Sequence, residues 1–151
     1  MKYLFYLLVF VSLGFSSTQM SIVADNFSAD EAKHISVFSG NVKIVKKDDK
    51  ISSNKVIVKF DKKNKPLSYS ASDGVRFSIS LKNSSISGSC ESLVYNPLSK
   101  IYTLSGKVDV VEMPSKRKLK ANIVKIDTIN AKTVVSGTKV KPVKFIFNIE
   151  E

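Results

Sequence analysis

The side chains that most often do chemistry in proteins are few in this chain, and they form no known pattern. Cys90 is the single cysteine and His34 the single histidine. A nucleophilic cysteine needs a base and an orienting group, and no local motif supplies them. One cysteine also excludes an internal disulfide, and these two residues are too few for a structural zinc site. We expect no catalytic residue, metal or cofactor; Cys90 should be a small buried apolar residue and His34 exposed.

Asp25 and Asp30 are the other residues whose spacing suggests chemistry. Two nearby carboxyl groups can act as a general acid and a general base. These two residues, however, flank a segment with the character of a strand and a turn. Side chains of this type commonly cap turns, which is the role the sequence predicts for both.

Charge is the strongest chemical property of the chain. Its 151 residues contain 24 Lys and Arg against 13 Asp and Glu, a net charge of +11. The excess predicts an anionic partner, such as nucleic acid, phospholipid headgroups or a phosphorylated glycolipid. A lysine-rich turn can also be a merely solvated turn that discourages edge pairing, and the sequence leaves both interpretations open. The basic residues assigned to turns are Lys46, Lys47, Lys62, Lys63, Lys65, Lys116, Arg117, Lys118 and Lys120.

The N-terminus predicts export. Lys2 precedes an apolar run over residues 4–15, and the small residues Gly14 and Ser16 suit cleavage after Ser16. This pattern is typical of a secretory signal peptide over residues 1–16. The run has 12 residues, whereas a membrane-spanning helix needs about 20, so a retained anchor is the alternative. A bacterial periplasm is the predicted location, because small extracellular eukaryotic domains usually carry several disulfides.

Short apolar segments with a period of two predict an all-β fold. After the signal peptide no segment has a sustained helical stripe, and residues that favour turns separate the strands, including the Ser72-Asp73-Gly74 tripeptide. Short strands in a repeating meander must bury one face. We therefore predict two curved antiparallel sheets that face each other in a sandwich or roll.

An internal repeat supports this architecture. In residues 35–58, and again in residues 101–126, a strand ends in Ser-Gly, restarts, crosses a basic turn and returns. Glycines at 40, 74, 106 and 137 step by 34, 32 and 31 residues. Such a period predicts stacked supersecondary units, with each glycine bending a strand.

Several segments in fixed order resemble the OstA-like (LptA) family. They are residues 22–30, Val37-Phe-Ser-Gly-Asn-Val42, Asn54-Lys-Val56, residues 88–95 and Leu104-Ser-Gly-Lys-Val108. The resemblance implies one domain over residues 22–149, a twisted β-jellyroll of two facing antiparallel sheets. It also implies a periplasmic protein of lipopolysaccharide transport that shields lipid A acyl chains in its interior. Implied partners are lipopolysaccharide, the inner- and outer-membrane components of the pathway, and further copies of the chain joined head to tail, near Ile22 of one and residues 145–149 of the next.

Apolar residues with inward parity are the candidates to line this interior. An inward apolar residue is by default core packing, so each has a second interpretation. Tyr95 and Tyr102 are candidates for a wet rim or for a cross-strand pair. The predicted lipid-binding residues are Ile22, Phe38, Val42, Ile44, Val58, Phe77, Ile79, Leu93, Tyr95, Leu104 and Val108.

Two other functions remain open. The first is a membrane-anchored, LptC-like component of the same pathway, which would keep its N-terminal apolar segment. The second is a secreted basic β domain that binds a polyanion. A nucleic-acid surface needs aromatic residues interleaved with basic ones on an exposed face. Phe and Tyr here mostly share the parity of the aliphatic residues, so nucleic acid is not a predicted partner.

Overall fold

Residues 19–150 fold into one continuous antiparallel sheet of ten strands. The computed structural model describes residues 19–150, and the predicted signal peptide lies outside them. No helix in this part of the chain is long and apolar enough to cross a membrane. The all-β prediction is confirmed. The strands are β1 (Met20–Val23), β2 (Asn26–Asp30), β3 (Ile35–Lys46), β4 (Asp49–Phe60), β5 (Pro66–Ser80), β6 (Ser85–Asn96), β7 (Ile101–Met113), β8 (Arg117–Asp127), β9 (Lys132–Ser136) and β10 (Lys144–Ile146).

Tight turns join consecutive strands where polar side chains satisfy the backbone. Asp61 Oδ1 accepts hydrogen bonds from the amides of Lys63 and Lys65, at 2.8 and 2.9 Å. Asn96 Oδ1 accepts one from the Leu98 amide at 2.9 Å. Such Asx turns reverse the chain at low cost, which explains why these predicted turns form.

A crease divides β3 to β8 into two halves. The pairing register shifts between Ser39 and Val42, and equivalent shifts follow in every later pair up to β7 with β8. At the crease Gly40, Gly74 and Gly106 have φ of +78°, +76° and +78°, which lie in the left-handed region that favours glycine. The prediction that these glycines bend strands is confirmed.

The structure differs from the sequence-based prediction at one point. The pattern predicts that each Ser-Gly pair ends a strand and that Ser72-Asp73-Gly74 forms a turn between strands. Instead β3 and β5 run through these residues as strands of 12 and 15 residues. A left-handed glycine bends the chain without releasing the strand from its neighbours, so sequence alone shows a break where pairing continues.

Gly137 was predicted to bend a strand and does not. It follows the end of β9, outside any strand. A Cβ atom at this position would lie 2.6 Å from the Val143 amide nitrogen. Gly137 is therefore required by close backbone approach in the segment that leads to β10, and the period of the glycine series ends with Gly106.

The crease folds the sheet into two layers that face each other, which confirms the jellyroll. Each layer contains eight strand segments in register. Layer I comprises Asn26–Asp30, 35–39, 55–60, 66–72, 92–96, 101–105, 123–127 and Lys132–Ser136. Layer II comprises Met20–Val23, 42–46, 49–53, 75–80, 85–90, 108–113, 117–121 and Lys144–Ile146. The hydrophobic core lies between them.

Alanine at Gly106 should destabilise the fold more than alanine at Gly74. Both residues are left-handed, which costs a side chain roughly 1 kcal/mol. At Gly106 the new Cβ would also lie 2.8 Å from Glu91 Cβ, whereas at Gly74 the nearest atom is 3.9 Å away. We expect Gly106→Ala to lower the free energy of unfolding in urea by about 1–2 kcal/mol more than Gly74→Ala. Equal losses would mean that the crease has no steric requirement at Gly106.

Candidate functional site

The space between the layers is lined by apolar side chains, and it is the candidate site. All eleven predicted lining residues point into it. Nine are buried, while Ile22 and Phe38 are half-buried and pack against the same core. The structure thus places all eleven predicted residues in one interior.

Two apolar rows run across the whole sheet, one in each layer. In layer I the residues in register are Phe27, Phe38, Val56, Ala71, Leu93, Leu104, Val124 and Val135. In layer II they are Ile22, Ile44, Ile51, Phe77, Gly88, Val110, Leu119 and Phe145. Strands lie about 4.8 Å apart, so each row extends for roughly 34 Å. The rows reach both ends of the roll, where Phe27 and Phe145 are more than half exposed.

The middle of the interior is packed. Ile79 and Leu104 are completely buried, as are most of the residues between the central strands. Ligand pockets commonly measure about 300–1,000 Å³, and no such space separates these side chains. A ligand with several acyl chains would therefore have to separate the layers. Its chains would then replace the side-chain contacts between layer I and layer II.

At the β9–β10 end the layers separate around an apolar cavity of about 220 Å³. Its rim carries Glu112, whose carboxylate accepts hydrogen bonds from the Ser115 hydroxyl at 2.7 Å and from Arg117 Nε at 2.9 Å. These two donors, Ser115 first, lower the pKa of Glu112. The apolar lining comprises Leu81, Ile86, Val110, Leu119, Val124, Ile126, Val135 and Phe145.

None of these cavity residues was among the predicted lining set, although the sequence held a signal for some of them. Val124 and Ile126 stand 68 residues after Val56 and Val58, and Leu119 the same distance after Ile51. Transferring the inward positions of the first repeat to the second would have found all three. Phe145 had no such equivalent, because the strand that contains it lies beyond the repeat.

A polar clasp joins the layers at their open edge, opposite the crease. We give this name to Lys46, Asp49, Tyr95 and Tyr102. The Tyr102 hydroxyl donates a hydrogen bond of 2.7 Å to Asp49 Oδ2, and the Ser80 amide donates one of 2.8 Å to Asp49 Oδ1. Lys46 Nζ lies 3.8 Å from Asp49 Oδ2 and 4.7 Å from the centroid of the Tyr95 ring. Asp49 and Lys46 belong to layer II and the two tyrosines to layer I, so the clasp bridges the interior.

The clasp corrects two predictions. Tyr102 does not reach a wet rim, since it is 1% exposed and its hydroxyl is bound to Asp49. It does form the predicted cross-strand pair with Tyr95, the ring centroids lying 4.5 Å apart. Lys46 is the last residue of β3 rather than a turn residue, and its ammonium group packs over tyrosine rings. Burial, and then the hydrogen bond to Asp49, raise the pKa of Tyr102.

The other basic residues assigned to turns occupy several different positions. Lys62, Lys63 and Lys65 lie in the β4–β5 turn, as predicted. Arg117, in contrast, begins β8 and pairs with Glu112, and Lys120 lies 3.9 Å from Asp109. Lys118 and Lys120 belong to β8 and point away from the interior, on the outer face of layer II.

The few residues that could have supported catalysis take structural roles. Cys90 is buried, its thiol lies 3.3 Å from the Ser92 carbonyl, and burial raises its pKa to about 11. A thiol with this pKa is a poor nucleophile. Asp30 accepts a hydrogen bond from the Lys33 amide, and Asp25 one from the Asn41 side chain, each at 3.0 Å. Within residues 19–150 no His, Cys, Asp or Glu cluster could hold a metal ion.

Removing the Tyr102 hydroxyl should weaken the clasp. Tyr102→Phe should lower the free energy of unfolding at neutral pH by about 1.5–3 kcal/mol, since a hydrogen bond to a carboxylate is lost. Tyr69→Phe removes a hydroxyl that makes no hydrogen bond to any of residues 19–150, and is the matched control. The raised pKa of Tyr102 predicts stability that is complete below about pH 10 and is lost as pH rises above it. Urea titrations at neutral pH and above pH 10 measure these losses of stability. If Tyr102→Phe lost no more stability than Tyr69→Phe, the clasp would be refuted.

Comparison with known proteins agrees with the fold and identifies the family. The chain superposes on the crystal structure of LptH, described as the LptA homologous periplasmic component of the conserved lipopolysaccharide transport device from Pseudomonas aeruginosa. The TM-score is 0.75 and the sequence identity 12%, over 87% of this chain and 96% of that one. At this identity the likeness shows the fold alone. No curated protein matches the chain.

Family membership rests on the sequence itself. The family model described as LptA/(LptD N-terminal domain) LPS transport protein matches residues 21–139. This range contains β2 to β9, all of β1 except Met20, and both apolar rows except for Phe145. The chain belongs to the LptA/LptD N-terminal-domain family of lipopolysaccharide transport proteins.

Proposed function

We propose that the chain is a periplasmic carrier that binds lipopolysaccharide and passes it from the inner towards the outer membrane. The observation that carries this proposal is the pair of apolar rows, which face each other across the interior from one end of the roll to the other. Within residues 19–150 no other strand covers the ends of these rows. Here the terminal residues Phe27 and Phe145 are 60% and 53% exposed.

The energetics favour a mechanism in which acyl chains replace contacts between the two layers, rather than one in which they fill an empty cavity. Each CH₂ group removed from water contributes about 0.8 kcal/mol, so an acyl chain gains several kcal/mol on entering an apolar interior. Parting the layers exposes core side chains, and acyl chains inserted between them cover these surfaces again. The cavity at the β9–β10 end is the proposed entry point, because the layers are already apart there. The eleven predicted lining residues are proposed to contact the chains farther inside.

No chemistry on the lipid is needed for this function. The proposed mechanism is passive: the crease keeps the layers connected on one side, and the open edge admits the lipid. The phosphates of the headgroup remain outside, where the turns carry Lys47, Lys62, Lys63 and Lys116. Carriage of this kind requires a partner at each end of the path, an extracting component at the inner membrane and an inserting component at the outer membrane.

A photo-crosslinking experiment tests lipid contact inside the roll. A photoreactive amino acid at positions 77, 95 or 135 should form adducts with lipopolysaccharide, because Phe77, Tyr95 and Val135 point inward. The neighbours Ser78, Val94 and Val134 point outward from the same strands and serve as matched controls. Adducts at least about 10-fold more abundant at the inward positions are expected. Equal labelling of both sets, or none at any inward position, would sink the proposal.

We further propose that copies join head to tail and extend the apolar rows into a continuous path. Within residues 19–150 no further strand pairs with the outer edges of β1 and β2 at one end of the roll, or with those of β9 and β10 at the other. Pairing of free edges would supply backbone hydrogen bonds, as in strand addition. Exposed apolar side chains lie at both ends, namely Val23 and Phe27 at the first and Phe145, Phe147 and Ile149 at the second.

Charged substitutions at each end should separate the copies. Val23→Asp with Phe27→Asp blocks the first end, and Phe147→Asp with Ile149→Asp blocks the second. Each double variant alone should be monomeric by light scattering, whereas an equimolar mixture should form dimers, because each variant keeps one intact end. Leu98→Asp with Ile129→Asp, which changes exposed apolar residues in turns, is the control. A mixture that stays monomeric would exclude head-to-tail joining through these ends.

A further inference from the structure

The outer face of layer II carries a concentration of positive charge that the interior does not use. Residues on this face alternate with the inward row, so their direction follows from the pairing register. One outward row contains Val23, Lys43, Ser52, Arg76, Ser89, Asp109, Lys120 and Lys144. The next contains Ser21, Val45, Lys50, Ser78, Ser87, Val111, Lys118 and Ile146. We call these two rows the basic face.

The basic face has six cationic side chains and one carboxylate. Asp109 is the carboxylate, and Lys120 Nζ lies 3.9 Å from it. Among residues 19–150, Lys43, Lys50 and Arg76 have no carboxylate within ion-pair distance. These three side chains line one shallow groove of about 300 Å³, with Ser52 and Ser78 between them.

The outer face of layer I differs in its charge balance. It carries Lys55, Lys59, Lys125 and Lys132, and it also carries Asp30 and Asp127. The excess of positive charge is therefore concentrated on layer II. Like charges on neighbouring strands repel each other, and strand formation does not require lysine at an exposed position. A clustered excess of this kind indicates an anionic partner.

We propose that the basic face docks the protein on an anionic phospholipid bilayer. Three exposed apolar side chains of this face lie beside the cations, namely Val23, Val45 and Ile146, and the exposed Met113 lies next to the two rows on the same side of layer II. Cations interspersed with apolar side chains match the region where anionic headgroups meet acyl chains. The outward rows of layer II contain no aromatic side chain, and so no platform on which nucleic-acid bases could stack.

Docking in this orientation also places the interior beside the membrane. The β3–β4, β5–β6 and β7–β8 turns carry Lys47, Lys82 and Lys116. These turns lie on the side of layer II away from the crease, next to the open edge of the roll. A bilayer beneath the basic face would thus lie next to the side from which the interior opens. The proposal does not depend on what the interior carries, because the outward and inward rows use different residues.

Vesicle binding tests the proposal. The form starting at Ser17, which retains every strand, is sedimented with vesicles of phosphatidylglycerol and phosphatidylethanolamine, and with phosphatidylcholine vesicles for comparison. The triple variant Lys43→Thr, Lys50→Thr and Arg76→Thr should bind the anionic vesicles about 10- to 100-fold more weakly than the wild type, since each basic residue near such a surface contributes substantially. Binding of the wild type should also weaken as salt is added.

A matched variant separates position from net charge. Lys55→Thr, Lys59→Thr and Lys125→Thr removes the same charge from the outer face of layer I and should leave vesicle binding within about 3-fold of wild type. Lys43→Arg, Lys50→Arg and Arg76→Lys keeps the charge and should also bind. Equal losses in the two Thr variants would overturn the proposal, as would wild-type binding to duplex DNA that is as tight as binding to anionic vesicles. Urea unfolding of each variant shows whether a loss reflects misfolding.

Discussion

The left-handed residues at the crease are the constraint on which the rest of the structure depends. Each of β3 to β8 crosses from one layer to the other there without leaving the sheet. If the strands broke instead, the molecule would be two sheets joined by loops, and nothing would fix the position of one relative to the other. The crease keeps both layers in one register, which is why the two apolar rows run side by side for their full length. It also leaves the opposite edge without any covalent connection.

That asymmetry gives the clasp its importance. On the crease side the layers are joined by six polypeptide strands, whereas across the open edge the clasp joins them by side chains alone. A hydrogen bond to a carboxylate contributes about 1.5–3 kcal/mol, and a lysine over an aromatic ring roughly 1 kcal/mol. These energies are comparable with the gain from burying a few CH₂ groups of an acyl chain. An interior closed in this way can be packed and still open to a lipid, so tight packing and carriage are compatible.

Much of this arrangement follows from local pattern. Alternation placed all eleven predicted residues inside, because a strand can point only every second side chain to one face. The glycine spacing located the crease, although the sequence predicted that strands end there. The clasp could not be predicted, since Tyr102 and Asp49 are 53 residues apart and neither stands in a motif. The place of Phe145 in the inner row and the end of the glycine series at Gly106 were not predicted for a related reason. Both depend on how the last strand returns to β8, which no repeat encodes.

The same alternation that lines the interior determines the outer faces. Ile44, Ile51 and Phe77 form part of the inner row of layer II, and the residues next to them in sequence include Lys43, Lys50 and Arg76. A shift of one residue in the register of any of these strands would bury a cation and expose an apolar side chain, at a cost of several kcal/mol. The basic side chains therefore also specify the register of the sheet. This role explains why polar residues occupy outward positions next to the inner row, as serine does on β6. It does not explain why β3, β4 and β5 carry cations at these positions rather than neutral polar residues. A role in binding anions accounts for this choice.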